Sequence, residues 1–464
     1  MPELPPRPLP KVLIVGAGLA GLLHAMLLER ANIPYEIFER ASTVKPLGAV
    51  MSLNANILPV FEQLGLYEDL LKISFPILAT DMYQDTMEHI AVVKVDDVKD
   101  IIGYDYVVFA RPLLYDLVLS KIPKEKIHFN KKVVQATSDA DKVTIECQDG
   151  SEYEGDLLVG ADGAYSVVRE YMYKDMAQKG ILPAIDSDQM DKGYVCLVGT
   201  SDPLDAEKYP ALKDDFAHFA QIMGTGSPYS WSTISVPNQK ICWNVVAELA
   251  ATDRHEDSLL KNAEWGPEAN EKMIKEVYNF KTPFGGIMGD LIDATPRERI
   301  SKVFLEEKLF QTWHHGRMVL IGDACHKMLP SAGQGAVNAM QDSVVLANAL
   351  YDLHSLSVKD ISAAFEDYRL QRVPHVKYQF DVSKSQARII YGQTLFSRVM
   401  RHVVFNYLPK SVQTKNIAKG AGYRPQATFL PLAPTRGSSE VLPQRPSRRY
   451  TEEQEHAQNK AATV

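Results

Sequence analysis

The sequence predicts an α/β fold: a Rossmann-like domain built from separated pieces of chain, with a mixed β-sheet domain inserted between them and C-terminal helices. Three observations predict it. "KVLIV", "GLAGLLHAMLLERA" and "PYEIFER" read as buried strand, apolar helix and alternating strand, a βαβ opening. Two further buried runs, "GDLLVGADG" from Gly155 and "GRMVLIGDACH" from Gly316, each lead through a turn into a helical pattern. Between them lie turn-punctuated β blocks such as "YVCLVGTSDPLD" and "YSWSTISVPNQKICWNVVAEL".

The expected boundaries follow from these runs. Residues 8–75, 105–185 and 296–380 form the three pieces of the nucleotide-binding domain, and 76–104 and 186–295 the inserted domain. Residues 381–423 form a helical region, and 424–464, rich in Pro, Gln, Ser and charge, a disordered tail.

A chain of 464 residues exceeds one ordinary core, and 45% hydrophobic with 23% charged residues is a globular composition. The net charge of -8 argues against a nucleic-acid binder. Cys147, Cys196, Cys242 and Cys325 form no CxxC pair, so a reducing, cytoplasmic setting is expected. No secretory leader is read at the N-terminus. "LFSRVMRHVVFNYLP" is too short and too charged for an integral membrane segment. As an amphipathic helix it packs on the body or lies on a membrane surface, with packing the favoured reading.

"VGAGLAG" spaces Gly16, Gly18 and Gly21 as G-x-G-x-x-G between a strand and a helix. The first glycine permits the turn, the second lets a pyrophosphate approach, and the third allows close helix–strand packing. Glu39 ends the next strand about 20 residues on, where an acid accepts ribose hydrogen bonds. "GTGS" at Gly224 lacks a following helix, so there is one such fingerprint only.

"LIGDACHKMLPSAGQGAVNAMQD" sets Asp323, Cys325 and His326 close together, compatible with a nucleophilic cysteine, a metal site or a scaffold for a bound group. His314 and His315 lack a carboxylate or cysteine at ligand spacing and read as surface residues. Trp231, Trp243, Phe216, Phe219 and Tyr229 suit either an aromatic-lined pocket or a sheet core.

"GAGLAG" with Glu39, "GADG" from Gly160 to Gly163, and "GD…P…GQG…N…D" from Gly322 to Asp342 together resemble the flavin-dependent monooxygenases related to para-hydroxybenzoate hydroxylase. The order and separations match from Val12 to Arg372. "HKMLPSAGQG" is similar to fungal members that hydroxylate or epoxidise isoprenoid, indole-terpenoid and aromatic metabolites. The resemblance implies a Rossmann-like FAD-binding domain of the glutathione-reductase type with a substrate domain of mixed β-sheet. It also implies FAD as cofactor, NAD(P)H as a transient electron donor, and molecular oxygen and a lipophilic small molecule as partners. Oligomeric state is left open.

Laid onto matching positions, the resemblance assigns Gly16, Gly18, Gly21 and Glu39 to the ADP half of FAD. It gives Asp323 to the sugar hydroxyls, Asp162 to FAD and the nicotinamide, and Arg111 to the FAD phosphates. Arg40 and Arg169 are further candidates for phosphate or nicotinamide. Pro330, Gly333 and Tyr194 are expected beside the reacting ring. Gly335, Ala336 and Asn338 open a helix whose N-terminus faces it, with Asp342 one turn further along. The competing expectations are a flavin-dependent reductase on the same fold and a non-catalytic flavin-binding interaction protein.

Overall fold

The computed structural model describes residues 9–43, 50–95, 97–249 and 267–462. Residue 8 and residues 250–266, which fall in two of the expected domain segments, lie outside the described residues, as do 463–464 of the tail.

Strand Val12–Val15 is buried at every position, as a parallel strand covered on both faces must be. It lies inside a six-stranded sheet, flanked in parallel by Tyr35–Phe38 and Leu157–Gly160. Met318–Leu320 adds beside Leu157–Gly160, again parallel, while Ile127–His128 and His314–His315 form the two edges. The register aligns the carboxyl ends: Val15 is opposite both Phe38 and Gly160, and Gly160 is opposite Leu320. Four turns far apart in sequence therefore leave one edge of one sheet side by side.

Helix Leu19–Arg30 is apolar nearly all round and buried, packed against helix Gly335–Tyr351. The contact is closed by polar groups that a buried helix must satisfy. Ser343 Oγ donates to Ala20 O at 2.8 Å, and His24 Nδ1 lies 3.1 Å from Ser343 O.

The second layer is a ten-stranded mixed sheet centred on Asp191–Thr200, Lys240–Glu248, Tyr229–Val236 and Ala217–Met223. It also takes in Val50–Leu53 and Val107–Ala110, which the expected boundaries gave to the nucleotide-binding pieces. A short, wholly buried run such as "VVFA" reads alike in either sheet, so periodicity does not tell them apart.

The tail departs from expectation. Residues from Arg424 onward pack on the body, with Ala427 and Phe429 in the main core and Phe429 stacked on Tyr351 at 4.8 Å. Gln63 Oε1 accepts from Ala427 N and Asn348 Oδ1 from Thr428 N, each at 2.9 Å. Helix Arg448–Ala462 follows. A few apolar anchors in "ATFLPL" order a segment whose average composition suggested disorder.

Candidate active site

The glycine turn leaves Val15 with Gly16 at φ +102°, a conformation that L side chains rarely adopt. A Cβ there would lie 2.5 Å from Ala161 O, and one at Gly21 would lie 2.1 Å from Gly16 O. These two glycines are packing requirements. Gly18 differs: a Cβ would meet nothing within 4 Å, so its backbone borders open space at the head of helix Leu19–Arg30. No side chain caps that helix N-terminus, which leaves its N–H groups and positive dipole end for an anion. Glu39 reaches back across the turn, accepting from Ala17 N and Ala41 N at 2.9 Å each. A carboxylate has about four acceptor directions, so capacity for hydroxyl donors remains. Arg40, next along, is exposed.

Asp162 leaves the neighbouring strand in the GADG turn. Its Oδ2 accepts from Val167 N at 2.7 Å, while its Oδ1 is buried with no partner. Burial raises its carboxyl pKa despite those backbone donors. An orphaned buried acceptor beside Gly16 is suited to a ligand hydroxyl or N–H. Arg169 is committed elsewhere: it donates to Ala324 O at 2.8 Å and Ala164 O at 2.7 Å, tying the GADG turn to the turn that follows Leu320.

Asp323 leaves Met318–Leu320 and pairs with Lys327 Nζ at 2.6 Å. Burial pushes its pKa up, but Lys327, His326 and Arg111 more than offset that, and the carboxyl is held below its usual range. Arg111, exposed at the first turn of helix Arg111–Leu119, is thus brought within electrostatic reach of Asp323.

Pro330 opens a tight turn ending at Gly333, whose φ is +63°, and Gly335 and Ala336 then start helix Gly335–Tyr351 without a side-chain cap. Asn338 turns its side chain inward. It is fully buried, donates from Nδ2 to Gln334 O at 2.9 Å and accepts from Arg372 Nη2 at 3.0 Å. Asp342 accepts from Gly322 N at 2.8 Å, His326 Nε2 lies 2.5 Å from it, and Arg372 Nε donates to it at 2.7 Å. This buried group is the part that sequence reasoning missed. The signal was available: Gln341 and Asp342 stand in a helix apolar on all sides, and polar groups in such a helix need buried partners.

Cys325 is fully buried, with Sγ 3.4 Å from Gly322 O; burial, reinforced by the Asp342 charge, pushes its thiol pKa well up. That removes the thiolate a nucleophile requires. Asp323, Cys325 and His326 do not act as one unit, since Asp323 pairs with Lys327 and His326 with Asp342. His314 and His315 each meet a carboxylate at 3.0 Å, Glu366 and Asp175 respectively.

Tyr194 lies on the face of the large sheet that packs against Leu329, Cys196, Val246 and Tyr391, with its ring 5.6 Å from that of Tyr391. Tyr194 thus shares an apolar cluster with Leu329, the neighbour of Pro330. Trp231 and Trp243 are in the opposite core, donating to Lys281 O and Thr295 Oγ1 at 3.0 Å each. They are sheet core, not pocket lining. Tyr229 packs with them, Phe219 belongs to a further cluster, and Phe216 lies against His218.

Open backbone at Gly18, an uncapped helix, the orphaned Asp162 acceptor and a second uncapped helix at Gly335 fit an elongated, diphosphate-bearing cofactor. The sequence profile of the FAD-binding-domain family matches residues 10–186 and 251–378, over half of the chain. The chain is thus an FAD-binding flavoprotein of that family.

Among curated proteins, it is similar to FAD-dependent monooxygenase ptmM of Penicillium ochrochloron, 32% identical over 88% of this chain and 96% of that protein. FAD-dependent monooxygenase penM of Penicillium crustosum is also 32% identical, over 88% and 85% of the two chains. The chain belongs to this fungal family and is an FAD-dependent monooxygenase. Its fold is shared by Klebsiella pneumoniae HpxO complexed with FAD and uric acid, with TM-score 0.71, 22% identity, and 89% and 97% of the chains covered. It is shared too by 2,6-dihydroxypyridine-3-hydroxylase of Arthrobacter nicotinovorans, with TM-score 0.66, 18% identity, and 84% and 95% covered.

Proposed function

We propose that this monooxygenase hydroxylates or epoxidises a lipophilic aromatic or terpenoid-like small molecule in secondary metabolism, with NAD(P)H as electron donor. The observation that carries the reading is the meeting of the Gly16, Glu39, Asp162 and Asp323 turns at one sheet edge. It is supported by the similarity to FAD-dependent monooxygenases of Penicillium and Aspergillus.

FAD would be held at its ADP half by the Gly18 backbone and Glu39, in a turn whose shape Gly16 and Gly21 set, and by Asp323, with Arg111 near its phosphates and Asp162 beside the turn. When bound and reduced, it supplies the means to activate O2. The protein contributes placement and electrostatics. The Gly335–Ala336 helix start, which no side chain caps, would offer N–H groups and a positive dipole end to negative charge developing on a ring held beside it. Pro330 and Gly333 bring rigid backbone close, and the Leu329–Tyr194–Tyr391 cluster excludes water where an apolar substrate would lie.

The test is turnover of the yellow protein with a fungal metabolite extract under labelled O2. The expected result is substrate-stimulated NAD(P)H and oxygen consumption with one labelled oxygen in the product. Substrate reduction that runs equally well without oxygen would establish a reductase instead.

A further inference from the structure

Helix Leu395–Tyr407 is built with its polarity reversed. A surface helix ordinarily buries its apolar stripe and shows water its polar face. Here the inward side carries Ser397 and Arg401, both buried. Arg401 fastens the helix to the body through carbonyls alone, donating from Nε to Ile389 O at 2.9 Å, Nη1 to Gly224 O at 3.2 Å and Nη2 to Gly392 O at 3.0 Å. The outward side carries Leu395, Phe396 and Tyr407 at 79%, 73% and 69% exposure, with Val399 and Val403 between them also exposed. At 100° per residue these five side chains fill one arc roughly 120° wide.

Along the chain the charge next to this helix has one sign, while from the packed sheet Glu248 accepts from Gln393 N and Asp85 lies within electrostatic reach of Arg401. Residues 382–439 contain nine Lys and Arg and no Asp or Glu, in a chain whose net charge is -8. Lys384, Lys410 and Arg436 pair with acids elsewhere on the body. Arg388, Arg398, Lys415 and Lys419 are exposed. Arg398 and His402 flank the apolar arc on one side. An exposed apolar arc bordered by cations is the pattern of a helix lying in the interface of an anionic bilayer, apolar side chains among the acyl chains and cations at the headgroups. No helix among the described residues is long and apolar enough to cross a membrane.

We propose that helix Leu395–Tyr407 seats the protein on an anionic lipid surface. The reading does not depend on the identity of the oxidised substrate. The experiment is co-sedimentation of the full-length, FAD-loaded protein with phosphatidylserine–phosphatidylcholine vesicles and with phosphatidylcholine vesicles alone. Binding is expected to the anionic vesicles, falling as salt rises, and to drop at least about tenfold in F396S/V403S with flavin absorbance unchanged. Arg398→Gln should weaken binding to the anionic vesicles only. Absent sedimentation, or binding that both variants leave intact, overturns the proposal. So does a concentration-dependent dimer that F396S/V403S dissociates, because a second copy would then cover the face.

Discussion

Arg372 Nε donates to Asp342 Oδ1 at 2.7 Å with both side chains fully buried. The same guanidinium reaches Gln341 Oε1 and the Asn338 side chain, and the same carboxylate holds Gly322 N and His326. The pair thus ties the turn that presents Asp323 to the first turns of the helix that starts at Gly335. Burial raises the Asp342 pKa, but His326 and Arg372 override it and keep the group below its usual range. Arg372→Met leaves a buried carboxylate without its cation, which costs about 3–5 kcal/mol. Urea denaturation should show that loss, and the purified variant should retain less FAD than wild type. Arg372→Lys should restore part of both.

Gly18 and Gly21 separate ligand approach from packing. Gly18 has φ -72° and ψ 176°, which any residue adopts, and open space beyond its Cα. Gly18→Val should therefore keep the apoprotein Tm while raising the Kd for FAD at least about tenfold, since the side chain fills the approach to the helix N-terminus. Gly21→Val, whose Cβ would begin 2.1 Å from Gly16 O, should lower the apoprotein Tm itself. Thermal melts of FAD-stripped proteins, followed by FAD titration, check both.

His24 carries a pH dependence. Burial lowers its pKa from 6.5 to about 4, partly opposed by the Ser343 carbonyl. Between those values the unfolded chain binds a proton that the folded chain does not, so stability falls as pH falls through that window. The loss from pH 6.5 to 5 is about 2 kcal/mol. Denaturation curves at the two pH values should show it in wild type, and His24→Gln should remove most of this increment.

Phe429 anchors the C-terminal segment by stacking on Tyr351. Phe429→Ala should destabilise the fold by about 3–5 kcal/mol, as for other buried aromatic truncations. Limited proteolysis should then cut the segment after Arg424 faster in the variant than in wild type.

The glycine turn, Glu39 and the three strand ends were legible because each motif names its own backbone need: a turn, a close approach, a strand stop. The inserted sheet was legible as a block, though its borders were not, since Val107–Ala110 is a buried run that suits either sheet. The inward turn of the Asn338 side chain was not legible, because helical spacing puts it at the helix start without saying which face is inward. Its partner Arg372 comes from a helix far along the chain, and such pairing has no local signal. The order of the tail was hidden for a related reason: it rests on a short buried run from Arg424 to Phe429, with Ala427 and Phe429 in the main core, and average composition hides so short a run.

The most direct measurement is a crystal structure of the protein loaded with FAD. The account predicts the pyrophosphate within hydrogen-bond distance of the Gly18 backbone at the head of helix Leu19–Arg30, a ribose hydroxyl on Glu39, and the isoalloxazine ring beside Gly333–Gly335. FAD bound away from the Val15, Gly160 and Leu320 strand ends, or a folded protein that holds none, would contradict it.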